Sequence, residues 1–151
     1  MDMNVKIESF TENDRNEVLR LLSEAELPIE DLTAEKFKDF LVAKRQDYTV
    51  IGSIGIELKQ EVGLLRSLVV HPSQRKRGLG KLLVNELESF AKEKGVKVLY
   101  LLTTTAADFF LRLGYRVTLR ETVPKSIADT EEFKGICPSS SICLYKELTH
   151  T

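Results

Sequence analysis

Hydrophobic spacing divides this chain into short segments that switch between the strand and the helix period. Residues 5–10 alternate apolar with polar, which predicts a first strand. Val18, Leu21, Leu22 and Ala25 then recur at helical spacing, with Thr11 or Asn13 able to cap the segment and Pro28 to end it. A short helix is predicted around 33–38. Residues 40–43 and 48–58 read as two strands joined around Arg45-Gln-Asp47, and Gln60-Glu61 turns the chain into a further strand, Val62–Val70. The clearest helical stripe follows: Leu79, Leu82, Leu83, Leu87, Phe90 and Ala91 share one face, and Gly95 stands where a C-terminal cap belongs. Residues 96–102 are mostly apolar, which predicts a strand central in its sheet. A short helix over 106–113 ends at Gly114, and 115–119 and 142–146 are predicted as the last two strands. Between them, 123–141 reads as a polar insertion with a helical turn around 126–133.

The predicted order is β-α-α-β-β-β-α-β-α-β-β. It combines an antiparallel meander with a crossover, so the expected fold class is α/β (α+β): one domain over 1–151, a mixed central sheet and helices on both faces. No internal repeat and no linker divides it.

Composition narrows the function classes. At 151 residues the chain is long enough for a real core, and 42% hydrophobic with 30% charged residues suits a soluble globular protein. The formal net charge of −1 gives no general attraction for nucleic acid or a membrane surface. Apolar runs are too short to span a bilayer, and Asp2, Asn4, Lys6 and Glu8 interrupt any N-terminal signal region, so a cytoplasmic protein is expected. Cys137 and Cys143 are expected as free thiols, with a redox or soft-metal role as the alternative. With His71 and His150 as the only histidines, no metal-ligand spacing is found and no metal is expected.

One junction carries chemistry. The strand ending Leu68-Val-Val70 runs through His71-Pro72 into Arg75-Lys-Arg-Gly78-Leu-Gly80-Lys81, which opens the striped helix. Backbone N–H groups in front of a helix N-terminus, two glycines without Cβ and three consecutive cations describe a pyrophosphate cradle. It is not a Walker A loop, since Gly78 lacks the Gly-Lys-Ser/Thr that should follow. Nor is it a dinucleotide fingerprint, whose third glycine would fall at Leu83. A basic turn that merely caps the helix is the structural alternative.

Arg75, Gly78 and Gly80 match the Arg/Gln-x-x-Gly-x-Gly/Ala signature, and in it the chain resembles the GCN5-related N-acetyltransferases (GNAT). The order of elements matches that family over nearly the whole length. The resemblance implies acetyl-CoA as co-substrate. Its pantetheine would lie on the backbone of Leu68, Val69 and Val70, and its pyrophosphate on Arg75, Lys76, Arg77, Gly78, Leu79, Gly80 and Lys81.

Acetyl transfer to an amine needs a neutral nucleophile, hence a base or a water path to one. Glu57 is the first candidate. Ile54, Ile56 and Leu58 share one face of their strand, leaving Glu57 on the other beside Ser53, as an isolated carboxylate where glycines leave space. A solvated glutamate near a strand end is the alternative. Many family members protonate the leaving thiolate with a Tyr where this chain has Phe110, which cannot donate. Ser67 or one of Thr103, Thr104 and Thr105 can serve instead, or no acid is needed.

The run from Leu101 through Thr103-Thr-Thr105 to Tyr115 is similar to the acetyltransferase domain of N-acetylglutamate synthases. Gly55-Ile-Glu57, Leu65-Arg-Ser-Leu-Val69 and the tail with Thr130-Glu-Glu-Phe133, Cys137 and Cys143 resemble the small acetyltransferases of arsenic-resistance operons. Both likenesses imply a small amino-acid-like amine as partner. Its carboxylate would need a cation, and Arg66 and Arg112 are the candidates, with a structural ion pair as the alternative for Arg66. A non-catalytic acetyl-CoA sensor and a protein or peptide acetyltransferase stay open. A homodimer through the C-terminal strands is plausible from the family.

Overall fold

The computed structural model describes residues 4–148. Seven strands and the first four α-helices follow the predicted order, and a fifth short helix, α5, lies in the insertion between the last two strands: β1 Val5–Ser9, α1 Arg15–Glu24, α2 Ala34–Phe37, β2 Phe40–Arg45, β3 Val50–Lys59, β4 Val62–Val70, α3 Leu79–Glu93, β5 Val98–Thr103, α4 Ala107–Arg112, β6 Arg116–Thr118, α5 Lys125–Ala128 and β7 Ile142–Glu147. Hydrogen bonding orders the strands β1-β2-β3-β4-β5-β7-β6. β4 and β5 are parallel, and α3 supplies the crossover such a pair requires. The β1–β2, β2–β3, β5–β7 and β6–β7 pairs are antiparallel, so the sheet is mixed.

The chain forms two compact units. One comprises the residues up to Ile56 together with Ser67–Ser89; the other, Glu57–Arg66 together with Phe90 onward.

The first unit holds β1, β2, most of β3 and the end of β4. Its core gathers Val18, Leu21 and Leu22 of α1 with Phe37, Phe40, Val42, Val50 and Val69. Thr33 caps α2 by accepting from the Lys36 N–H, which places Phe37 stacked on Phe10 at 4.4 Å and edge-on to Phe40 at 4.9 Å. β3 is buried on both faces from Val50 to Glu57. Gly52 permits this, since a Cβ there would lie 2.9 Å from the Val69 carbonyl oxygen. At Gly55 a Cβ would lie 2.3 Å from the Phe40 ring. The expectation that glycines leave open space beside Glu57 is therefore corrected at Gly55: its space is filled by an aromatic ring.

In the second unit, the last strand enters between β5 and β6. β7 pairs with β5 from Val98↔Glu147 to Thr103↔Ile142, and with β6 from Arg116↔Tyr145 to Thr118↔Cys143. β5, predicted as central, lies between β4 and β7, yet only Leu99 and Leu101 are fully buried. Tyr100 and Leu102 are partly buried against a smaller core of Leu64, Val123, Ile127 and Cys143. The insertion, read as polar, thus supplies apolar anchors through Val123, Ile127 and Phe133. The parallel β4–β5 ladder is short, running from Val62↔Val98 to Leu64↔Tyr100.

Candidate functional site

In the first unit, the cradle is built from the end of β4. The His71 N–H donates to the Ile51 carbonyl at 2.8 Å, closing the strand, and Pro72–Gln74 make a single 3-10 turn. In the loop that follows, Arg75 is extended at φ −70°, ψ 158°, and Lys76 and Gly78 are left-handed at φ +67° and +82°. Left-handed residues in such a turn are a feature of loops whose backbone N–H groups gather around an anion. The Leu82 N–H donates to the Gly78 carbonyl at 3.0 Å, so α3 starts directly from the cradle. A Cβ on Gly78 would meet nothing within 4 Å. The glycine therefore serves the left-handed backbone, and no side chain closes the space above it. Arg75 Nε donates to the Val70 carbonyl at 3.3 Å and ties the loop to the strand end. Lys76, Arg77 and Lys81 are exposed, Gly80 is half-buried, and Leu79 is buried as the helix anchor.

Just before this loop, Ser67 interrupts β4 with φ +60°, a left-handed residue inside a strand. Non-glycine residues pay roughly 1–2 kcal/mol for that conformation. The Ser53 hydroxyl donates to the Ser67 carbonyl at 2.9 Å, and both serines are buried. β4 continues beyond it through Leu68 and Val70, half-buried, and Val69, 6% exposed.

In the second unit, Glu57 is neither isolated nor solvated. It is 8% exposed, and its Oε2 accepts from Arg66 NH1 at 2.7 Å. This corrects the expectation of a lone carboxylate: a charge buried at that depth needs a partner, and the neighbouring strand provides it. Arg66 Nε lies 3.5 Å from Glu132 Oε2. The side chain of Arg66 is fully shielded, and those of Glu57 and Glu132 are 7% and 5% exposed. Glu132 opens a kinked helical turn, Glu132–Ile136, within the insertion, which departs from helical geometry at Gly135. The sequence contains it only as part of the arsenic-resistance-like tail, and no periodicity there tells which way it faces.

The other designated residues of this unit lie on α4 and its approach. Thr103 Oγ1 accepts from the Ala106 N–H at 3.0 Å, opening α4, and Thr104 is exposed in that turn. Phe110 is 4% exposed and packs edge-on to Tyr115 at 5.3 Å. Arg112 is exposed in the last turn of α4.

Both cysteines are buried free thiols. Burial, reinforced by the negative charge of Glu132, pushes Cys137 up to about 12. Burial pushes Cys143 up to about 11. Both are protonated near neutral pH, which makes them poor nucleophiles and poor metal ligands. Among the described residues, no group of His, Cys, Asp and Glu could hold a metal ion, and no helix is long and apolar enough to cross a membrane. His150 lies outside the described residues. A cavity of about 540 Å³ opens in the first unit beside Lys6, Lys44, Arg45, Tyr48 and Leu82. None of the designated site residues lines it, so it is not where the sequence places the chemistry.

Comparison with known proteins bears on this geometry. The family model described as "Acetyltransferase (GNAT) family" matches residues 7–115. An uncharacterised N-acetyltransferase of Chlorobaculum tepidum is 36% identical over 96 residues, 62% of this chain and 59% of its own length. An amino-acid acetyltransferase of Pseudomonas aeruginosa is 34% identical over 74 residues, 49% of this chain and 17% of its own. The chain thus matches only part of either relative. Among solved structures, N-acetylglutamate synthase from Neisseria gonorrhoeae, complexed with coenzyme A and N-acetyl-glutamate, superposes with a TM-score of 0.83 at 18% identity, over 99% of this chain and 36% of that one. Rv2747 from Mycobacterium tuberculosis, in complex with CoA, gives 0.81 at 17% identity, over 95% of this chain and 99% of that one. These two structures share its fold.

Proposed function

The chain belongs to the acetyltransferase (GNAT) family, and on that premise we propose that it moves an acetyl group from acetyl-CoA to the amine of a small amino-acid-like molecule. The observation that carries this reading is the cradle: a loop with left-handed Lys76 and Gly78, open at Gly78, bordered by exposed cations and continuous with the first turn of α3. Its donor set, backbone N–H groups with Lys76, Arg77 and Lys81, fits a pyrophosphate. When bound, acetyl-CoA supplies the thioester carbonyl that the amine attacks and the thiolate that leaves.

The residues of this chain then have distinct tasks. The backbone of Leu68, Val69 and Val70 receives the pantetheine amides in the manner of an added strand. Glu57 takes the proton of the acceptor's ammonium, directly or through one water, freeing the lone pair for attack. The nitrogen's remaining surplus proton leaves as the C–S bond breaks, to the thiolate or to solvent. A thiolate with an ordinary value near 8.5 is a tolerable leaving group, so Phe110 in place of a phenol does not stop the reaction; Ser67 or Thr104 remains a candidate donor. Arg112 is the better candidate for the acceptor's carboxylate, because Arg66 already serves two carboxylates of the protein.

The relatives named amino-acid acetyltransferases support an amino-acid acceptor, and the resemblance to arsenic-resistance acetyltransferases supports a small molecule in the cytoplasm. We propose a homodimer through β6, an edge strand on which Val117 is 57% exposed, followed by Leu119 at 65%. The test is thiol release from acetyl-CoA with a panel of free amino acids and their analogues, set against peptides. Release with free amino acids alone supports the reading. Release with peptides alone makes the enzyme a peptide acetyltransferase. Saturable binding with no release makes it a sensor, the reading that Phe110 favours.

A further inference from the structure

A guanidinium as buried as that of Arg66 needs one carboxylate for neutrality, and Glu57 provides it at 2.7 Å. Glu132 is a second buried carboxylate on the same cation, brought by the insertion to 3.5 Å from Nε. A further buried acid adds a desolvation cost, so its presence calls for a function. The geometry supplies one. Nε–H lies in the guanidinium plane, on a different edge from the NH1 that reaches Glu57. A carboxylate on the Nε side attracts that edge of the guanidinium and so biases the rotation of the plane, and with it the line from Nη1 to Glu57 Oε2.

Glu132 is itself held from its own segment. The Cys137 N–H donates to its carbonyl at 3.3 Å, and the Cys137 thiol lies beside its carboxylate. Arg120, the other cation near that thiol, donates to the carbonyls of Phe133 and Pro138 at 3.2 and 3.3 Å and lies over the Phe133 ring. The segment that follows Glu132 is thus braced at Phe133, Cys137 and Pro138.

We propose that Glu132 is a positioning residue which acts through Arg66 to hold the Glu57 carboxylate where it takes the acceptor's proton. This rests on the acetyl-transfer reading above and assigns a role to the insertion. Glu132 does not touch the acceptor. Its removal lowers kcat and leaves the KM for acetyl-CoA unchanged, and its effect disappears when Glu57 is no longer a base.

The experiment is a double-mutant cycle on kcat with Glu132→Ala and Glu57→Gln. Glu132→Ala alone is expected to lower kcat roughly 10- to 100-fold, the scale of a small misplacement of a reacting group. Glu132→Gln, which keeps an acceptor for Nε–H, recovers a large part of that loss; Glu132→Met, which keeps the volume without an acceptor oxygen, replaces Glu132→Ala if the latter does not fold. In the Glu57→Gln background the same substitution is expected to change kcat by less than about twofold. An equal loss in both backgrounds, or full kcat in Glu132→Ala, overturns the proposal. If the unaltered protein releases no thiol with any amine, it is the acetyl-transfer reading that fails. The positioning is then read from the carboxyl carbon resonance of Glu57, which must move on Glu132→Ala; an unmoved resonance overturns it.

Discussion

The hydroxyl of Ser53 on β3 donates to the carbonyl of Ser67 on β4 at 2.9 Å, and Ser67 holds a left-handed φ of +60° within β4, just before the cradle. A side chain from one strand thus stabilises a strained backbone unit in the next, beside the groups proposed to receive the pantetheine. Ser53→Ala leaves a buried carbonyl without this donor and is expected to cost about 1–3 kcal/mol in urea unfolding. Acetyl-CoA affinity should fall with it. Ser67→Gly should be neutral or stabilising, because glycine accepts that φ, whereas Ser67→Val should be worse than Ser53→Ala. Equal stability of the glycine and valine variants would remove the strain from the account.

Removing one member of the buried ion cluster should hurt more than removing its charge with its shape retained. Glu57→Ala leaves Arg66 partly uncompensated and is expected to destabilise by about 3–5 kcal/mol. Glu57→Gln should cost less stability but still lower turnover, while leaving acetyl-CoA affinity intact. Turnover unchanged at every pH in Glu57→Gln would take Glu57 out of the mechanism.

The two thiols set an alkaline limit. Each holds its proton more tightly in the folded chain than at the ordinary value of 9.0, Cys137 up to about 12 and Cys143 up to about 11. Their contribution is complete below pH about 9 and is lost as pH rises through the folded values, at up to about 1.4 kcal/mol per pH unit for each titrating thiol. Unfolding free energy should fall from pH 9 to 11, and less steeply in Cys137→Ala/Cys143→Ala, although that variant starts lower from the cavities it creates. Identical slopes would contradict the burial assignment.

Leu119→Glu should convert the proposed dimer to a monomer in analytical ultracentrifugation without changing the unfolding midpoint of the monomeric unit. A dimer that persists in Leu119→Glu and in Val117→Glu would place the contact elsewhere.

Local chemistry was legible in the sequence, and long-range pairing was not. The α3 stripe, the strand before it and the Gly78 turn all announce themselves within a few residues of one another, and each stands where it was expected. Ser67 gave no signal, because serine is not a residue that marks a left-handed position. Gly55 looked like open space, because the ring that fills it comes from Phe40 on another strand. Glu57 was legible as a candidate and an ion pair was open for Arg66, but their pairing with each other, and the arrival of Glu132 from an insertion without period, were not. Chain order alone also did not place β7 between β5 and β6; that follows from the register of Leu101 with Leu144 and of Val117 with Leu144.

The most direct measurement is a calorimetric titration of the protein with acetyl-CoA beside Gly78→Glu, a variant whose side chain would stand in the open space of the cradle at φ +82°. The account predicts saturable one-site binding that the variant loses while it stays folded. Absence of binding by the intact protein, or equal binding by the folded variant, would contradict the cradle and the function built on it.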